Sequence, residues 1–298
     1  MRPIPARMII GLVIVGAFFL IALLAGWLAP FEPRAYSSAP LASPTGNHLL
    51  GSNDVGQDLF SQLIYGARVS ILVGLAGATV STAIAWGLGL LSGAGSWADG
   101  MVTGAADLML AMPGLPLIIL VAAYLGAGLP VVIITLGLVS WGSFARVIRG
   151  QVQSELRKPY VEAARAGGST RLRTLVRHIG PATVPIAVAK FVTTTQYAIV
   201  AQASLGFLGL GDPTVVSWGD MLHRAALSPL IYLNWSWLWS VVPPSMAIGF
   251  LLTGFALIGW SLEEKTLPGV RPRRAKNPGP AQDPGNGGQS HQTGGMLP

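Results

Sequence analysis

The sequence predicts an all-α membrane protein with about six transmembrane helices. The 298-residue chain is 51% hydrophobic and only 10% charged, with a mean hydropathy of +0.57, whereas soluble domains carry about 25% charged residues. Because lipid offers the backbone no hydrogen-bond partners, each long uncharged run forms a helix. This composition excludes most soluble enzymes, disordered chains and nucleic-acid-binding domains. The absence of cysteine excludes disulfides, thiolate metal sites and thiol catalysis.

The first predicted span covers residues 8–29, which hold no charge and include 13 Ile, Leu, Val or Phe residues. Those side chains contribute about −6 kcal/mol to membrane insertion. Arg2 and Arg7 give this run the basic front of a signal peptide, which is the alternative interpretation. The run is too long for an ordinary signal peptide, and no clean cleavage site follows it. We therefore expect an uncleaved anchor.

Five further predicted spans are rich in Gly and Ala, as closely packed membrane helices are. Their ranges are 69–94, 101–125, 129–148, 181–207 and 238–260. Six spans put both termini on one side of the membrane. Fifteen of the 19 Lys and Arg residues then fall on that side, eight of them in the connection 146–180. The positive-inside rule makes that side cytoplasmic.

The remaining segments are two long outer connections, about 30–68 and 208–237, and a C-terminal tail. Long connections in a compact protein are often functional. From Pro268 onward, 13 of 31 residues are Gly or Pro, so the tail cannot bury enough apolar surface to become ordered. Its basic cluster either follows the positive-inside rule alone or also contacts anionic lipid.

Three motifs occur in order along the chain. The long inner connection reads YVEAARAGG at 160–168, followed by HIGP at 178–181. The first outer connection carries LGSNDVGQD at 50–58 and then YGARVS at 65–70. The end of the fifth span and the residues after it read ASLGFLGLG at 203–211, with SWG at 217–219.

These motifs resemble those of ABC importer permeases, in which the EAA loop contacts the ATP-binding subunit. The combination is similar to the second-permease branch of the dipeptide, oligopeptide and nickel transporters, and it covers about residues 8–270. The resemblance implies a type I ABC importer permease fold with a cytoplasmic coupling helix. Four residues depart from the usual pattern of that branch and leave substrate choice open: Gln57, Gly167, Gly180 and Gln202.

The resemblance also implies a division of the chain and a set of partners. Residues 1–68 would form the anchor and an extracytoplasmic segment, 69–267 the permease core with its EAA loop at 154–181, and 268–298 a disordered cytoplasmic tail. The implied partners are a second related permease, two ATP-binding subunits that use ATP and Mg, an extracytoplasmic solute-binding protein and the lipid bilayer. No cofactor is expected on this chain and no nucleic acid as a partner.

Residues 158–166 are predicted to form the coupling helix, which ends at Gly167-Gly168 because glycine accepts left-handed backbone angles. Ala163 and Ala164 give it a narrow surface that fits a groove in a partner, and Glu162 offers a charge-assisted hydrogen bond. The residues assigned to coupling are Glu162, Ala163, Ala164, Gly168 and Pro181. The chain has no phosphate-binding loop of the form GxxxxGK[ST], so the energy must come from another polypeptide.

A translocation path is predicted from ionisable and polar residues within the spans. Asp107 is expected to face the bundle interior or the inner headgroups, where it pairs helices or contacts substrate. Lys190, Thr194, Tyr197, Ala201 and Ser204 follow a helical spacing and share one face. That face either packs against a partner helix, with Lys190 reaching inward, or lines the path.

The predicted function is the inner-membrane permease subunit of an ATP-driven importer of short peptides, with a nickel ion or metal–opine chelate as the second substrate class. The alternative is a self-sufficient secondary transporter, which would need an internal inverted repeat and buried ion-coupling groups; no convincing repeat is visible. A membrane enzyme would need a His/Asp/Glu constellation, which is missing from the sequence. The four histidines have no pair at metal-ligand spacing, so no metal site is predicted.

Overall fold

The computed structural model describes residues 5–126, 128–231 and 235–266, and within these ranges it is helical, with two isolated β-bridges. The predicted tail, 268–298, lies outside the described residues. The helices are α1 (Ala6–Leu23), α2 (Ala25–Leu28), α3 (Leu59–Leu91), α4 (Ser96–Ala111), α5 (Gly114–Leu125), α6 (Leu129–Leu156), α7 (Pro159–Ala166), α8 (Arg171–Thr174), α9 (Gly180–Phe207), α10 (Trp218–Leu227), α11 (Trp237–Ser240) and α12 (Val242–Thr266).

Five helical stretches are long and apolar enough to cross a membrane, or six if the bent pair α4–α5 counts as one span. This confirms the predicted all-α membrane fold. The chain alternates between two ends of the bundle. We call the end that carries α7 the α7 end and the opposite end, across which α10 lies, the α10 end.

The third predicted span, 101–125, is wrong as a single helix. Helices α4 and α5 meet at an angle of 80°. The break lies at Met112-Pro113, where Met112 adopts an extended conformation with φ −85° and ψ 135°. Proline has no backbone N–H and disfavours helical angles in the residue before it. Apolar composition alone does not reveal this break, because both halves are hydrophobic.

The start of α3 also differs from the prediction, which left residues up to 68 in a loop. Helix α3 begins at Leu59 because the Asp58 carboxylate accepts a 2.8 Å hydrogen bond from the backbone N–H of Ser61. Arg68 therefore lies within α3, where its guanidinium donates to the carbonyl oxygens of Ala22 (2.7 Å) and Leu23 (3.3 Å). These bonds satisfy carbonyls at the end of α1 and fasten it to α3.

The connection between α2 and α3 folds at the α10 end around buried amide side chains. Gln57 Oε1 accepts hydrogen bonds from Asn53 (2.9 Å) and Gln62 (2.8 Å). Gln57 Nε2 donates to the carbonyl oxygen of Arg34 at 3.0 Å. Gln57, a departure from the family pattern, is thus the centre of a satisfied network within this segment.

A second link at the α10 end centres on Asp212, which follows α9. Its carboxylate accepts hydrogen bonds from Thr214 and from the backbone N–H of Leu129, the first residue of α6. Burial raises the pKa of Asp212, but these hydrogen bonds and the charge of Arg34 outweigh burial and leave the pKa below its usual range. Arg34 also donates to the carbonyl oxygens of Pro213 and Val215.

Helix α3 is central to the bundle and packs along both α6 and α9, while α12 joins α9 to α1. Close approach of α3 to its neighbours depends on glycine. A methyl group at Gly89 of α3 would lie 2.5 Å from Cγ2 of Ile148 in α6, and one at Gly74 would lie 2.7 Å from Cγ1 of Ile199 in α9. Small residues allow such backbone approach in membrane helices, where packing rather than water exclusion drives association.

We predict that Gly89→Leu destabilises the bundle, whereas Gly87→Leu, two residues away, does not. A methyl group at Gly87 would have no neighbouring atom within 4 Å, so position 87 offers space that position 89 lacks. Overpacking of this kind costs about 1–3 kcal/mol. Thermal unfolding of the purified protein in detergent measures the difference. Equal melting temperatures for the two variants would contradict the proposed α3–α6 packing.

Candidate coupling and translocation site

Helix α7 displays its motif on an exposed surface at the α7 end. It starts at Pro159, whose missing N–H costs nothing in the first turn. The prediction of 158–166 placed this start one residue too early and the end correctly. Val161 is fully buried, whereas Glu162 and Ala163 are exposed and Ala164 is partly exposed. Val161 thus packs the helix against the bundle, while Glu162 and Ala163 remain available to a partner.

The end of α7 is formed by the predicted glycine pair. Gly168 has φ +83°, in the left-handed region that favours glycine. The backbone N–H of Ser169 donates to the carbonyl of Ala164 at 3.0 Å and that of Gly168 to Arg165 at 2.9 Å. These bonds satisfy carbonyls that the helix end would otherwise leave without partners.

An apolar cluster beneath α7 connects it to two spanning helices. Val161 packs in this cluster with Ile148 and Val152 of α6 and with Leu175 and Ile179, which precede α9. We call it the α7 cluster. Residues Leu175–Ile179 form a π-helical turn that runs directly into α9, and π turns are frequent at functional sites. Pro181, assigned to coupling from the sequence, lies in the first turn of α9.

A cleft of about 360 Å³ opens at the break between α4 and α5. Tyr197 of α9 reaches the break: a methyl group on Gly114 would lie 2.9 Å from the Tyr197 hydroxyl. The cleft is bounded by the break, by α6 and by α9, and its lining is apolar apart from hydroxyl groups. The lining residues are Met109, Leu110, Met112, Gly114, Val139, Ser140, Ser143, Phe144, Thr193 and Tyr197.

The polar face predicted on α9 divides between different environments. Tyr197 lines the cleft, as does its neighbour Thr193. Thr194 is buried, and its hydroxyl donates to the carbonyl of Lys190 at 2.8 Å. Ser204 is partly exposed and donates to the carbonyl of Val200 at 2.8 Å. The structure therefore brings Tyr197 into the cleft and leaves Thr194 and Ser204 bonded to their own helix.

The two ionisable residues predicted within the spans both have partners of opposite charge. Asp107 of α4 pairs with Arg146 of α6, and each side chain is about half exposed, at 54% and 51%. Lys190 of α9 pairs with Glu263 of α12 at 3.0 Å. Each pair joins two helices, which is the helix-pairing role considered for Asp107. Neither Asp107 nor Lys190 is among the residues that line the cleft.

Sequence reasoning did not single out Glu155 and Asp99. Glu155, in the last turn of α6, is 3% exposed and accepts hydrogen bonds from Gln151, Lys158 and Tyr160. Asp99 of α4 receives two hydrogen bonds from Arg149, at 2.5 and 2.6 Å. For Glu155 the only available signal was its position just before Arg157 and Lys158, which is weak because such pairs are common, and Asp99 has no Lys or Arg near it in the sequence. Ser140 and Ser143 of the cleft were missed because no local pattern marks them.

This bundle, with its broken span beside a cleft and its exposed short helix, defines a membrane transport permease. The chain belongs to the family of binding-protein-dependent transport system inner membrane components, whose profile matches residues 83–259. It is 33% identical over 256 residues to the glutathione transport system permease protein GsiD of Escherichia coli O157:H7 and of Shigella sonnei strain Ss046. In each case the match covers 85% of this chain and 83% of the relative. The protein from Shigella dysenteriae serotype 1 matches to the same extent.

Family membership confirms the coarser predictions from the sequence. The chain is a multi-pass inner-membrane permease subunit of an ABC importer, and it has no ATPase site of its own. The family works with ATP-binding subunits, a second permease and a binding protein. The assignment of individual residues to coupling or to the path stays a prediction.

We predict that Tyr197→Trp impairs uptake, because the larger side chain would fill space between α9 and the break. Tyr124→Trp is the matched control, since Tyr124 is 83% exposed on α5 and does not line the cleft. Initial uptake rates, normalised to permease abundance in the membrane, compare the two. An uptake rate of Tyr197→Trp equal to that of the wild type would argue against path lining.

Proposed function

We propose that this permease translocates short peptides, including di- and oligopeptides, handed over by a solute-binding protein. The cleft at the α4–α5 break supports this substrate class. Tyr197 offers a hydroxyl group that both donates and accepts hydrogen bonds. The hydroxyl groups of Ser143 and Thr193 donate to carbonyls of their own helices and keep their oxygens as acceptors. Peptide amides need such partners when they leave water. The apolar remainder of the lining tolerates varied side chains.

A bare nickel ion fits this cleft less well. Nickel favours imidazole and other nitrogen or oxygen ligands, and the cleft lining includes neither histidine nor a carboxylate. Among the described residues, no group of three or more His, Cys, Asp or Glu side chains could hold a metal ion. The curated relatives are permeases of a glutathione transport system, and glutathione is itself a tripeptide. A nickel or metal–opine chelate remains the other substrate class to test.

We further propose that the α7 end is cytoplasmic, with both chain termini on that side. Arg7 at the start of α1 pairs with Glu264 near the end of α12, so the two ends of the described chain meet there. The same end carries the basic connection around α7. Cytoplasmic connections of membrane proteins are enriched in Lys and Arg.

The proposed mechanism is coupling of α7 to the cleft through α6 and α9. Glu162, Ala163 and Ala164 would dock against the ATP-binding subunit, where that subunit uses ATP and Mg. The observation that carries this proposal is that α6 and α9 connect the α7 cluster to the cleft. Helix α6 and the turn leading into α9 contribute to the α7 cluster, and α6 and α9 also form two walls of the cleft. Packed helices move as rigid bodies, so displacement of α7 would shift both walls.

We predict that Glu162→Lys abolishes transport while the protein still inserts into the membrane. The substitution reverses a charge on the exposed face of α7 without disturbing buried packing. Glu264→Lys is the matched control, because it makes the same change at an exposed site of the same end, where surface pairs contribute at most about 1 kcal/mol. ATP-dependent uptake in proteoliposomes is the measurement, and normal uptake by Glu162→Lys at normal abundance would refute the coupling role.

Gly168→Asp is predicted to have the same effect for a different reason. A Cβ at Gly168 meets nothing within 4 Å, and aspartate tolerates left-handed angles better than most residues. The fold should therefore survive while a charge enters the docking surface. Retained thermal stability together with lost uptake supports the proposal, whereas retained stability and normal uptake would contradict it.

Substrate class is tested with the complete complex and its binding protein in proteoliposomes. We expect ATP-dependent uptake of labelled dipeptides or glutathione that competes with other short peptides. Uptake of nickel or its chelate without peptide competition would reverse the substrate assignment. Uptake that survives ATP depletion but stops with an ionophore would favour the secondary-transporter alternative.

A further inference from the structure

The carboxylate of Glu155 lies at the junction between α6 and α7. Its side chain is only 4% exposed. It accepts hydrogen bonds from Lys158 Nζ at 2.7 Å, Tyr160 Oη at 2.8 Å and Gln151 Nε2 at 2.9 Å. Gln151 belongs to α6, whereas Lys158 immediately precedes α7 and Tyr160 lies within it.

The position of this carboxylate within α6 is unfavourable by itself. Glu155 is the penultimate residue of α6, and the C-terminal end of a helix disfavours negative charge. Burial of the carboxylate adds a desolvation cost, and a buried ion pair often contributes little net stability. Burial raises the pKa of Glu155, but the hydrogen bonds from the three donors and the charge of Lys158 outweigh burial and leave the pKa below its usual range. The same hydrogen bonds impose a geometry on the junction between α6 and α7.

That geometry connects α6 to α7 at two points. Tyr160 binds Glu155 through its hydroxyl, and the next residue, Val161, inserts into the α7 cluster. An apolar contact has no preferred direction, so it restrains rotation of α7 about Val161 only weakly. The hydrogen bond beside it adds a directional contact that opposes this rotation. We call Glu155, Lys158 and Tyr160 the α6–α7 joint.

The joint keeps its form throughout the physiological pH range. Burial, the hydrogen bond to Glu155 and the negative charge of Glu155 together raise the pKa of Tyr160 to about 12. Because this pKa is raised, the contribution of the phenol is fully present below its ordinary value of about 10 and is lost only as the pH rises towards 12. The hydroxyl therefore remains a donor, and the joint acts as a mechanical element rather than a pH switch.

We propose that Glu155 is a positioning residue that fixes the angle of α7 against α6, so that movement of the ATP-binding subunit reaches the cleft. This inference rests on the proposed contact of α7 with that subunit. Loosening the joint should leave docking and ATP hydrolysis largely intact. It should lower the amount of substrate transported for each ATP hydrolysed, which a merely structural residue would not affect selectively.

The test uses the assembled transporter with two variants of the joint. Tyr160→Phe removes one hydroxyl and leaves Glu155 paired with Lys158, so it should fold normally. Glu155→Gln removes the charge but keeps one acceptor oxygen. We expect each to reduce substrate transported per ATP about three- to tenfold. Glu264→Gln, at an exposed acidic site of the same end, is the matched control and should leave that ratio unchanged.

The double variant Glu155→Gln/Tyr160→Phe tests whether the two residues act as one unit. If they form a single joint, the double variant is no worse than the more severe single variant. A loss in the double variant equal to the product of the two single-variant losses would overturn the proposal. An unchanged transport-to-ATP ratio in Tyr160→Phe would also overturn it. If Glu155→Gln lowers membrane abundance, the result for Tyr160→Phe decides by itself.

A separate measurement distinguishes failure of the joint from failure of the docking proposal. The chain contains no cysteine, so Ala163→Cys introduces a unique cross-linking site on the exposed face of α7. We expect cross-linking to the ATP-binding subunit both in the wild-type background and with Tyr160→Phe. Its absence in the wild-type background would overturn the docking proposal. Its presence in both, with an unchanged transport-to-ATP ratio, would overturn the joint alone.

Discussion

The packing of Val161 between α6 and the π turn before α9 is the interaction on which the proposed mechanism depends. It is the buried point that attaches an otherwise exposed helix to the bundle. Because protein interiors are close-packed, displacement at such a point moves the surrounding helices rather than being absorbed. The same two helices continue to the cleft. The short helix α7 is thereby connected by packing to the cleft.

The ionised residues named within the described spans also contribute contacts between helices. Asp107, Asp99 and Lys190 each pair with an opposite charge on another helix. An ionised group in lipid is costly unless it is paired or reaches water, so these residues tie α4 to α6 and α9 to α12. The cleft, by contrast, is lined by hydroxyl groups and apolar side chains. Ionised residues thus hold the bundle together, and neutral polar residues face the proposed substrate.

The sequence alone predicts those structural elements whose determining signals are local. The end of α7 follows from the glycine pair Gly167-Gly168, and hydropathy identifies the spans. The start of α3 was missed because hydropathy excludes charged residues such as Asp58 and Arg68 from a span. In the structure, contacts within the protein satisfy both side chains. The break at Pro113 was missed because both flanking segments are apolar. Ser140 and Thr193 line the cleft only because helices distant in sequence meet there. Glu155 was missed although its donors, Gln151, Lys158 and Tyr160, are close to it in the sequence.

The most direct test of the account is whether nucleotide state at the ATP-binding subunits alters the cleft through α7. A Ser143→Cys permease in the assembled complex carries a single thiol at the cleft, whose reaction rate with a small thiol reagent reports access. We expect that rate to change at least severalfold between the nucleotide-free and ATP-bound complexes. With Val161→Ala added, which loosens the contact beneath α7, the nucleotide dependence should be lost. A dependence that persists unchanged in the double variant would contradict the proposed connection.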